Sequence, residues 1–316
     1  MRQFSIGLIL LIFASVSCTD FDETLYDKLP EDEYPENDGQ VATLAVKAYE
    51  PLTDLIDDNG WWFLAQEISS DEFCGPTRDA DWDDGGKWRV MHRHTWTNDV
   101  EGVNRMWGTM WSGVTKSNIT LDQLRALPED EAVFQKIAEV EVLRSFYYYL
   151  LIDNYGDVPY LTTTIDVPDQ PYKLAREDIF DSLTHTVKKN ISLLKDISRK
   201  YMVTKNTGYA LLAKLYLNAE VYTGTPQYEL AANYTDSVLA GAYSLEGDVL
   251  APFVTDNSNS SEIIFAIAFD EDLGHGFRLH MRTLHYHGMG SCPISSSGIG
   301  SYGEAIRCVG SACLMV

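Results

Sequence analysis

The stretch of residues 138–159 constrains the fold of this chain more than any other. It reads AEVEVLRSFYYYLLIDNYGDVP, and its apolar residues recur at every third or fourth position, which predicts a helix. Asn154, Gly156 and Pro159 supply the signal that ends this helix. Each of the four adjacent aromatic residues, 146–149, can remove about 150–250 Å² from water. We therefore expect a buried helix that anchors the hydrophobic core.

The same periodicity elsewhere predicts a mostly α-helical chain. Apolar residues at helical spacing indicate further helices in residues 41–56, with a kink or break at Pro51, and in residues 103–127, 176–194, 207–222 and 228–240. Small residues in the last two segments permit close helix contact, as in tetratricopeptide repeats. No sharp repeat is visible in the sequence, so we expect divergent repeats.

The first 40 residues have the pattern of a secreted lipoprotein. Arg2 and the apolar run of residues 4–13 match a signal peptide, residues 1–17, which is too short to span a bilayer stably. Small residues lead into Cys18, whose thiol would take a lipid and become the mature N-terminus. Residues 19–39 hold nine acidic residues and one lysine, so residues 18–40 are predicted to be the lipidated cysteine and an extended acidic tether.

Charge and motifs exclude several classes of function. The formal net charge is −23, and such a chain would be repelled by nucleic acid and by an anionic bilayer surface. The sequence contains neither a glycine-rich phosphate loop nor a G-x-S-x-G nucleophile motif. We therefore expect no cofactor and no nucleic-acid partner, and neutral or cationic ligands fit the chain better.

Residues 61–98 differ from the predicted helices because they show no sustained helical period. They contain five of the seven tryptophans and a DDGG turn. This pattern predicts a long functional loop. A sugar ring needs exposed aromatic planes beside hydrogen-bonding side chains. The planes are Trp82, Trp88 and Trp96, and the hydrogen-bonding partners are Arg78, Asp81 and Asn98. The alternative is that these tryptophans pack the loop onto the helices, as we expect for Trp61, Trp62, Trp107 and Trp111.

Other kinds of site remain open from the residues alone. Glycoside hydrolysis needs two acids about 5–10 Å apart, and the same loop offers Glu72, Asp79, Asp81, Asp83 and Asp84.

A zinc site would have to use His92 and His94, or His280, His285 and His287, but no zinc-binding spacing supports one. Cys74, Cys292, Cys308 and Cys313 are even in number and could pair in an oxidising compartment. We expect no metal, and a purely structural scaffold is the remaining alternative to binding and catalysis.

Several segments resemble the SusD/RagB family of outer-membrane nutrient-binding lipoproteins. The specific signature is carried by Glu141, Leu151 and residues 143–148 and 155–159, and residues 107–127, 210–217 and 261–267 resemble three further signatures, the last of them a strand. Residues 76–96 resemble the P-x-R-G-x-D-W-x-D-G-G segment of saccharide-binding members, with Asp79 where that pattern often has glycine.

The resemblance implies a tetratricopeptide-like scaffold that is lipid-anchored in the outer membrane and surface-exposed. It further implies a protein that binds oligosaccharide without catalysis and passes it to a SusC-like TonB-dependent transporter. Family members continue beyond this length, so residues 41–287 are expected to form an incomplete helical domain. Residues 288–316 contain three of the five cysteines and only two charged residues. We expect them to be the product of a truncation or reading-frame change, with a genuine Gly/Ser tail as the alternative.

Overall fold

The structure is a computed structural model, and it describes residues 35, 37–56, 61–75, 77, 83–196, 200–254 and 257–269. Contacts divide the chain into two compact units, Met1–Gln40 and Val41–Val316. The predicted signal peptide, Cys18, most of the tether and the tail of residues 288–316 lie outside the described residues, so those expectations stay predictions.

The described part of the chain is mostly helical, as predicted. Its helices are α1 (Asp38–Tyr49), α2 (Pro51–Ile56), α3 (Trp62–Ile68), α4 (Lys87–His92), α5 (Glu101–Arg125), α6 (Glu131–Tyr155), α7 (Arg176–Asn190), α8 (Lys205–Leu217), α9 (Ala219–Thr223) and α10 (Tyr228–Leu239). Short 3₁₀ turns cover Asp84–Gly86 and Ala251–Phe253. Two short strands, β1 (Val158–Pro159) and β2 (Lys173–Leu174), pair antiparallel, with Val158 opposite Leu174.

Helix α6 is the centre of the core. All of residues 138–152 are buried, so this helix is enclosed on every side. Asp130 caps its start by accepting a hydrogen bond from the backbone N–H of Ala132 at 2.8 Å, and Gly156, at φ 74°, ends it. Helix α5 packs along α6, where Gly113 leaves room for the Tyr147 ring, and α7 also packs on α6. The Tyr147 hydroxyl donates to the carbonyl of Ala48 at 2.9 Å and so ties α1 to this pair.

The last helix pair is formed by α8 and α10. Thr204 and Thr207 form a reciprocal cap at the start of α8. The single helix predicted for residues 207–222 is interrupted at Asn218, whose ψ of 7° is not helical, and α9 follows. Small residues of both helices, Ala210, Ala213, Ala231 and Ala232, line a groove of about 470 Å³.

Two expectations from the sequence are wrong. Residues 61–98 are not one long loop, because α3 and α4 lie within them and bury apolar residues such as Ile68 and Met91. Both helices are too short to show a helical period in the sequence. Residues 261–267 are not a strand: no neighbouring strand pairs with them within the described ranges, although the N–H of Ala266 donates to the carbonyl of Lys200 at 2.7 Å.

A helix that crosses a bilayer must be both long and apolar. Spanning the hydrocarbon layer takes about 20 consecutive, predominantly apolar residues. Among the residues that the structure describes, no helix meets both conditions.

Candidate functional site

The predicted ligand-binding residues fall into two groups. Arg78, Asp81 and Trp82 lie outside the described residues. Trp88 belongs to α4, and Trp96 and Asn98 lie in the connection from α4 to α5, residues 93–100, which we call the site loop. The geometry of the candidate site therefore rests on α3, α4 and the site loop.

Trp88 is part of the core. Its side chain is only 2% exposed, and its ring stacks on Trp61 with centroids 4.8 Å apart and planes 18° apart. The indole N–H donates to Asp84 Oδ2 at 2.6 Å, and Lys87 Nζ lies 5.1 Å from the ring centroid. The prediction that Trp88 offers an exposed plane to a sugar is therefore wrong. Its burial attaches α4 to the residue that precedes α3.

Lys87 joins this aromatic stack to the start of α5. Its ammonium group lies 2.9 Å from Glu101 Oε2, and it also lies over the ring of Trp61. The hydrogen bond from Lys87, together with its positive charge, holds the pKa of the Glu101 carboxyl below its usual value. The start of α5 is thereby fixed against α4, and both ends of the site loop are anchored.

Trp96 is the exposed aromatic residue of the site loop, with 41% of its surface accessible. The backbone before it is held by the N–H of Thr95, which donates to the carbonyl of Val90 at 3.0 Å, and after it the N–H of Val100 donates to the carbonyl of Thr97 at 3.2 Å. The ring of His94 lies 5.2 Å from the Trp96 ring, centroid to centroid, with an interplanar angle of 59°. Trp96 is therefore an exposed indole on an ordered backbone.

His94 of the site loop and His92, the last residue of α4, both contact backbone carbonyls at the end of α3. His94 Nε2 lies 2.6 Å from the carbonyl oxygen of Ser69, and His92 Nδ1 lies 3.2 Å from that of Ile68. A carbonyl can only accept, so each of these ring nitrogens carries the proton that it donates. His94 adopts φ 55°, a left-handed conformation that is uncommon outside glycine. Sequence reasoning treated these histidines only as possible metal ligands and missed this positioning role, for which the sequence gives no separate signal.

Asn98 follows Trp96 by two positions and is exposed. Its backbone carbonyl accepts a hydrogen bond from Asn104 Nδ2 at 2.7 Å, which ties the loop to the first turn of α5. An amide side chain offers both donors and an acceptor. Trp96 and Asn98 together present one apolar plane and one polar group on the same short segment.

The carboxylates proposed for hydrolysis make structural contacts where they are described. Asp83 pairs with Arg89 at 2.9 Å, and Asp84 accepts the indole N–H of Trp88. Arg89 also donates to the hydroxyl of Thr77. Glu72 is exposed, and Asp79 and Asp81 lie outside the described residues. The carboxylates of Asp83 and Asp84 thus stabilise the turn before α4.

The residues that the structure describes contain neither a candidate metal site nor a disulfide. No group of three His, Cys, Asp or Glu side chains there is close enough together to hold a metal ion. His280, His285 and His287 lie outside those ranges, as do Cys292, Cys308 and Cys313, and Cys74 is a free, exposed thiol.

Of the tryptophans predicted to be core, Trp61 is buried, whereas Trp62, Trp107 and Trp111 are half-buried.

A family described as starch-binding and associating with the outer membrane matches residues 65–217, a range that includes α4, the site loop and α6. Among curated proteins, the starch-binding protein SusD of Bacteroides thetaiotaomicron is 25% identical over 182 residues, which are 56% of this chain and 32% of that protein. The match thus spans about a third of the curated relative's length.

Solved structures share the same fold. A laminarin-binding SusD-like protein superimposes with a TM-score of 0.65 at 21% identity, over 76% of this chain and 53% of that one. A SusD superfamily protein from Parabacteroides distasonis gives a TM-score of 0.65 at 19% identity, over 78% of this chain and 53% of that one. These matches confirm the helical SusD-like fold that the signatures in residues 141–159 predicted. The described residues therefore have a SusD-like fold, and residues 65–217 match the family described as starch-binding and associating with the outer membrane.

Proposed function

We propose that this protein is an outer-membrane glycan-binding lipoprotein that captures oligosaccharide at the site loop and passes it to a TonB-dependent transporter. The family description and the starch-binding and laminarin-binding relatives support a carbohydrate ligand. Delivery to a transporter, the lipid anchor at Cys18 and exposure at the cell surface are the finer parts of the proposal.

The observation that carries the proposal is the exposed indole of Trp96 on a backbone fixed by His94, Thr95 and α3. An ordered aromatic plane loses little conformational entropy when a sugar stacks on it, so the gain from apolar contact is retained as affinity. Asn98 adds a hydrogen-bonding group beside it. We keep Arg78, Asp81 and Trp82 as further candidate ligand residues, and we remove Trp88 because it is buried.

We propose binding without catalysis. A glycosidase needs one carboxylic acid and one carboxylate free to reach the scissile bond. Asp83 and Asp84 are instead engaged by Arg89 and Trp88, which leaves Glu72, Asp79 and Asp81 for the hydrolytic alternative. The second alternative, a structural scaffold, would make no use of an exposed tryptophan in an ordered loop.

The test is calorimetry of the full chain with a panel of neutral α- and β-glucan oligosaccharides. We expect Trp96→Ala and Trp82→Ala each to weaken binding by about thirtyfold, because truncating a central aromatic in a binding site costs about 2 kcal/mol. Tyr201→Ala is the matched control, because Tyr201 is similarly exposed at 48% and lies outside the site loop. Its affinity should equal that of the wild type.

Other outcomes separate the alternatives. Unchanged affinity in both tryptophan variants would place the site elsewhere, and no binding of any glucan by the wild type would contradict the choice of ligand. Analysis of the sugars after each titration tests for hydrolysis. New reducing ends that disappear in Asp81→Asn or Asp79→Asn would identify a glycosidase instead.

A further inference from the structure

The groove between α8 and α10 takes no part in the proposed glycan site. Its volume is about 470 Å³, which falls within the range of roughly 300–1,000 Å³ that is typical of small-molecule sites. Seven of the ten residues that line it are aliphatic, and the other three are Lys214, Tyr228 and Thr235. This composition suits a ligand that is mostly apolar and has one polar or charged end.

Alanines give the groove its shape. Ala210 of α8 and Ala231 of α10 are buried, each with 6% of its surface exposed, and both line the groove. Their short side chains leave space that longer ones would fill. Leu217, a further lining residue, follows Ala210 by seven positions, so the groove runs about 10 Å along α8. An apolar channel of this length accommodates an extended alkyl chain.

A ligand can reach the groove from solvent. Leu217 and Tyr228, which both line it, are 57% and 54% exposed. The Tyr228 hydroxyl donates to the carboxylate of Glu220, and this contact holds the ring in place. The Thr235 hydroxyl donates to the carbonyl of Ala231 at 2.9 Å, so its proton is already used. Entry therefore requires no rearrangement of α8 or α10.

Lys214 indicates the charge of the ligand's polar end. It is half-buried, and within the described ranges its ammonium group forms no ion pair or hydrogen bond with another residue. The described residues that line the groove include no carboxylate, although acidic residues outnumber basic ones by 47 to 24 in the whole chain. A cation beside apolar surface attracts an anion more strongly than one that is fully solvated. The groove thus combines an apolar channel with one unpaired positive charge.

We propose that this groove binds a soluble alkyl carboxylate of medium chain length. The carboxylate pairs with Lys214, and the alkyl chain lies along the alanines of α8 and α10. A sugar fits less well, because the mostly aliphatic lining leaves its hydroxyls without partners. A cationic amphiphile would be repelled by Lys214. The inference is independent of the glycan proposal, because the site loop contributes no residue to the groove.

The first test is calorimetry of the full chain with sodium hexanoate, octanoate and decanoate, each below its micellar concentration. We expect the affinity to rise about fourfold for each added methylene, because burying one contributes about 0.8 kcal/mol. An affinity that is the same for all three carboxylates would contradict burial of the chain. No binding of any of them by the wild type would show that the groove is not such a site.

The second test separates the charge from the chain by comparing octanoate with octan-1-ol. Lys214→Met should weaken octanoate binding about tenfold and leave octan-1-ol binding unchanged, because only the carboxylate loses a charged partner. Lys214→Arg should restore octanoate binding. Lys189→Met is the matched control, because Lys189 is an exposed lysine of α7 that does not line the groove. Equal losses for octanoate and octan-1-ol in Lys214→Met would contradict the ion pair.

The third test fills the groove. Ala232→Leu should reduce octanoate affinity at least tenfold, because the larger side chain occupies the channel. Asn233→Leu is the control, because Asn233 is an exposed neighbour on α10 that does not line the groove, and its affinity should equal that of the wild type. Octanoate affinity that survives both Ala232→Leu and Lys214→Met would place the ligand elsewhere. A wild-type dimer in sedimentation that Ala232→Leu dissociates, with no carboxylate bound, would show that a second copy covers the groove instead.

Discussion

At the scale of single residues, the candidate site depends on the different burial of two tryptophans, Trp88 and Trp96. Trp88 has Trp61 against its ring and Asp84 on its indole N–H, so its role is to hold α4 in place. Trp96 keeps a large exposed surface and contacts the ring of His94. The first tryptophan stabilises the support on which the second is presented, and only the second is free for a ligand.

Gly113 allows a residue-scale prediction about the core. A β-carbon at this position would overlap the ring of Tyr147, which is fully buried on α6. We expect Gly113→Ala to destabilise the protein by about 1–3 kcal/mol, since overpacking forces side chains and backbone apart. In a domain of this size, each kcal/mol lowers the melting temperature by about 2–4 °C. Thermal unfolding followed by circular dichroism measures the change.

Gly108 on the same helix supplies the matched control. It is exposed, and nothing lies within 4 Å of where its β-carbon would be. Gly108→Ala should therefore leave the melting temperature unchanged or raise it, because alanine is favoured over glycine in a helix by about 1 kcal/mol. If both substitutions changed the melting temperature equally, α5 and α6 would not approach closely at Gly113.

At the scale of elements, residues 160–172 connect β1 to β2 and form the crossover loop. The contact of this loop with α5 depends on Asp122, which accepts hydrogen bonds from the Thr163 hydroxyl at 2.9 Å and the Thr164 N–H at 2.7 Å. Burial acts to raise the pKa of this carboxyl, but the hydrogen bonds from Thr164 and Thr163 and the charge of Arg125 together bring the pKa below its usual value. A carboxyl with a lowered pKa in the folded state adds stability above its unfolded pKa of about 3.9. That contribution is lost as the pH falls through the lowered value.

We therefore expect Asp122→Asn to melt several degrees below the wild type at pH 6, because hydrogen bonds to a charged acceptor are worth about 1.5–3 kcal/mol. The difference should shrink as the pH falls below about 4 and through the lowered pKa of Asp122, because the wild type then also loses the charge. Melting curves of both proteins across this range measure the effect. A difference that stays constant with pH would show that the charge on Asp122 does not hold the crossover loop.

The elements differ in how well the sequence predicts them. Helix α6 is predictable because its apolar period and its Asn154 to Pro159 ending are local signals. The contact of Asp122 with Thr163 joins residues 41 positions apart, and no local pattern indicates it. Helices α3 and α4 are too short for a period to emerge, so the tryptophan-rich segment resembles a loop in sequence. Burial of Trp88 depends on Trp61, which only the tertiary structure brings alongside.

At the scale of the whole molecule, the proposed capture and delivery of a glycan would require the scaffold to stay at the membrane. The family description associates such proteins with the outer membrane, and the described helices provide no membrane span. A lipid on Cys18 would supply the attachment, since each buried methylene contributes about 0.8 kcal/mol and more than one acyl chain makes an anchor long-lived. The acidic residues 19–39 would then separate the helical scaffold from the bilayer.

Lipidation at Cys18 is the prediction that tests this arrangement. Growth with an alkyne analogue of palmitate should label the wild type, and Cys18→Ala should carry no label and should leave the membrane fraction. Cys74→Ala is the control, because Cys74 is a free, exposed thiol within the helical unit, and its label should match that of the wild type. Equal labelling of Cys18→Ala and the wild type would contradict the anchor. Wild-type label lost only in Cys74→Ala would place the acyl group on the scaffold itself, away from the proposed tether.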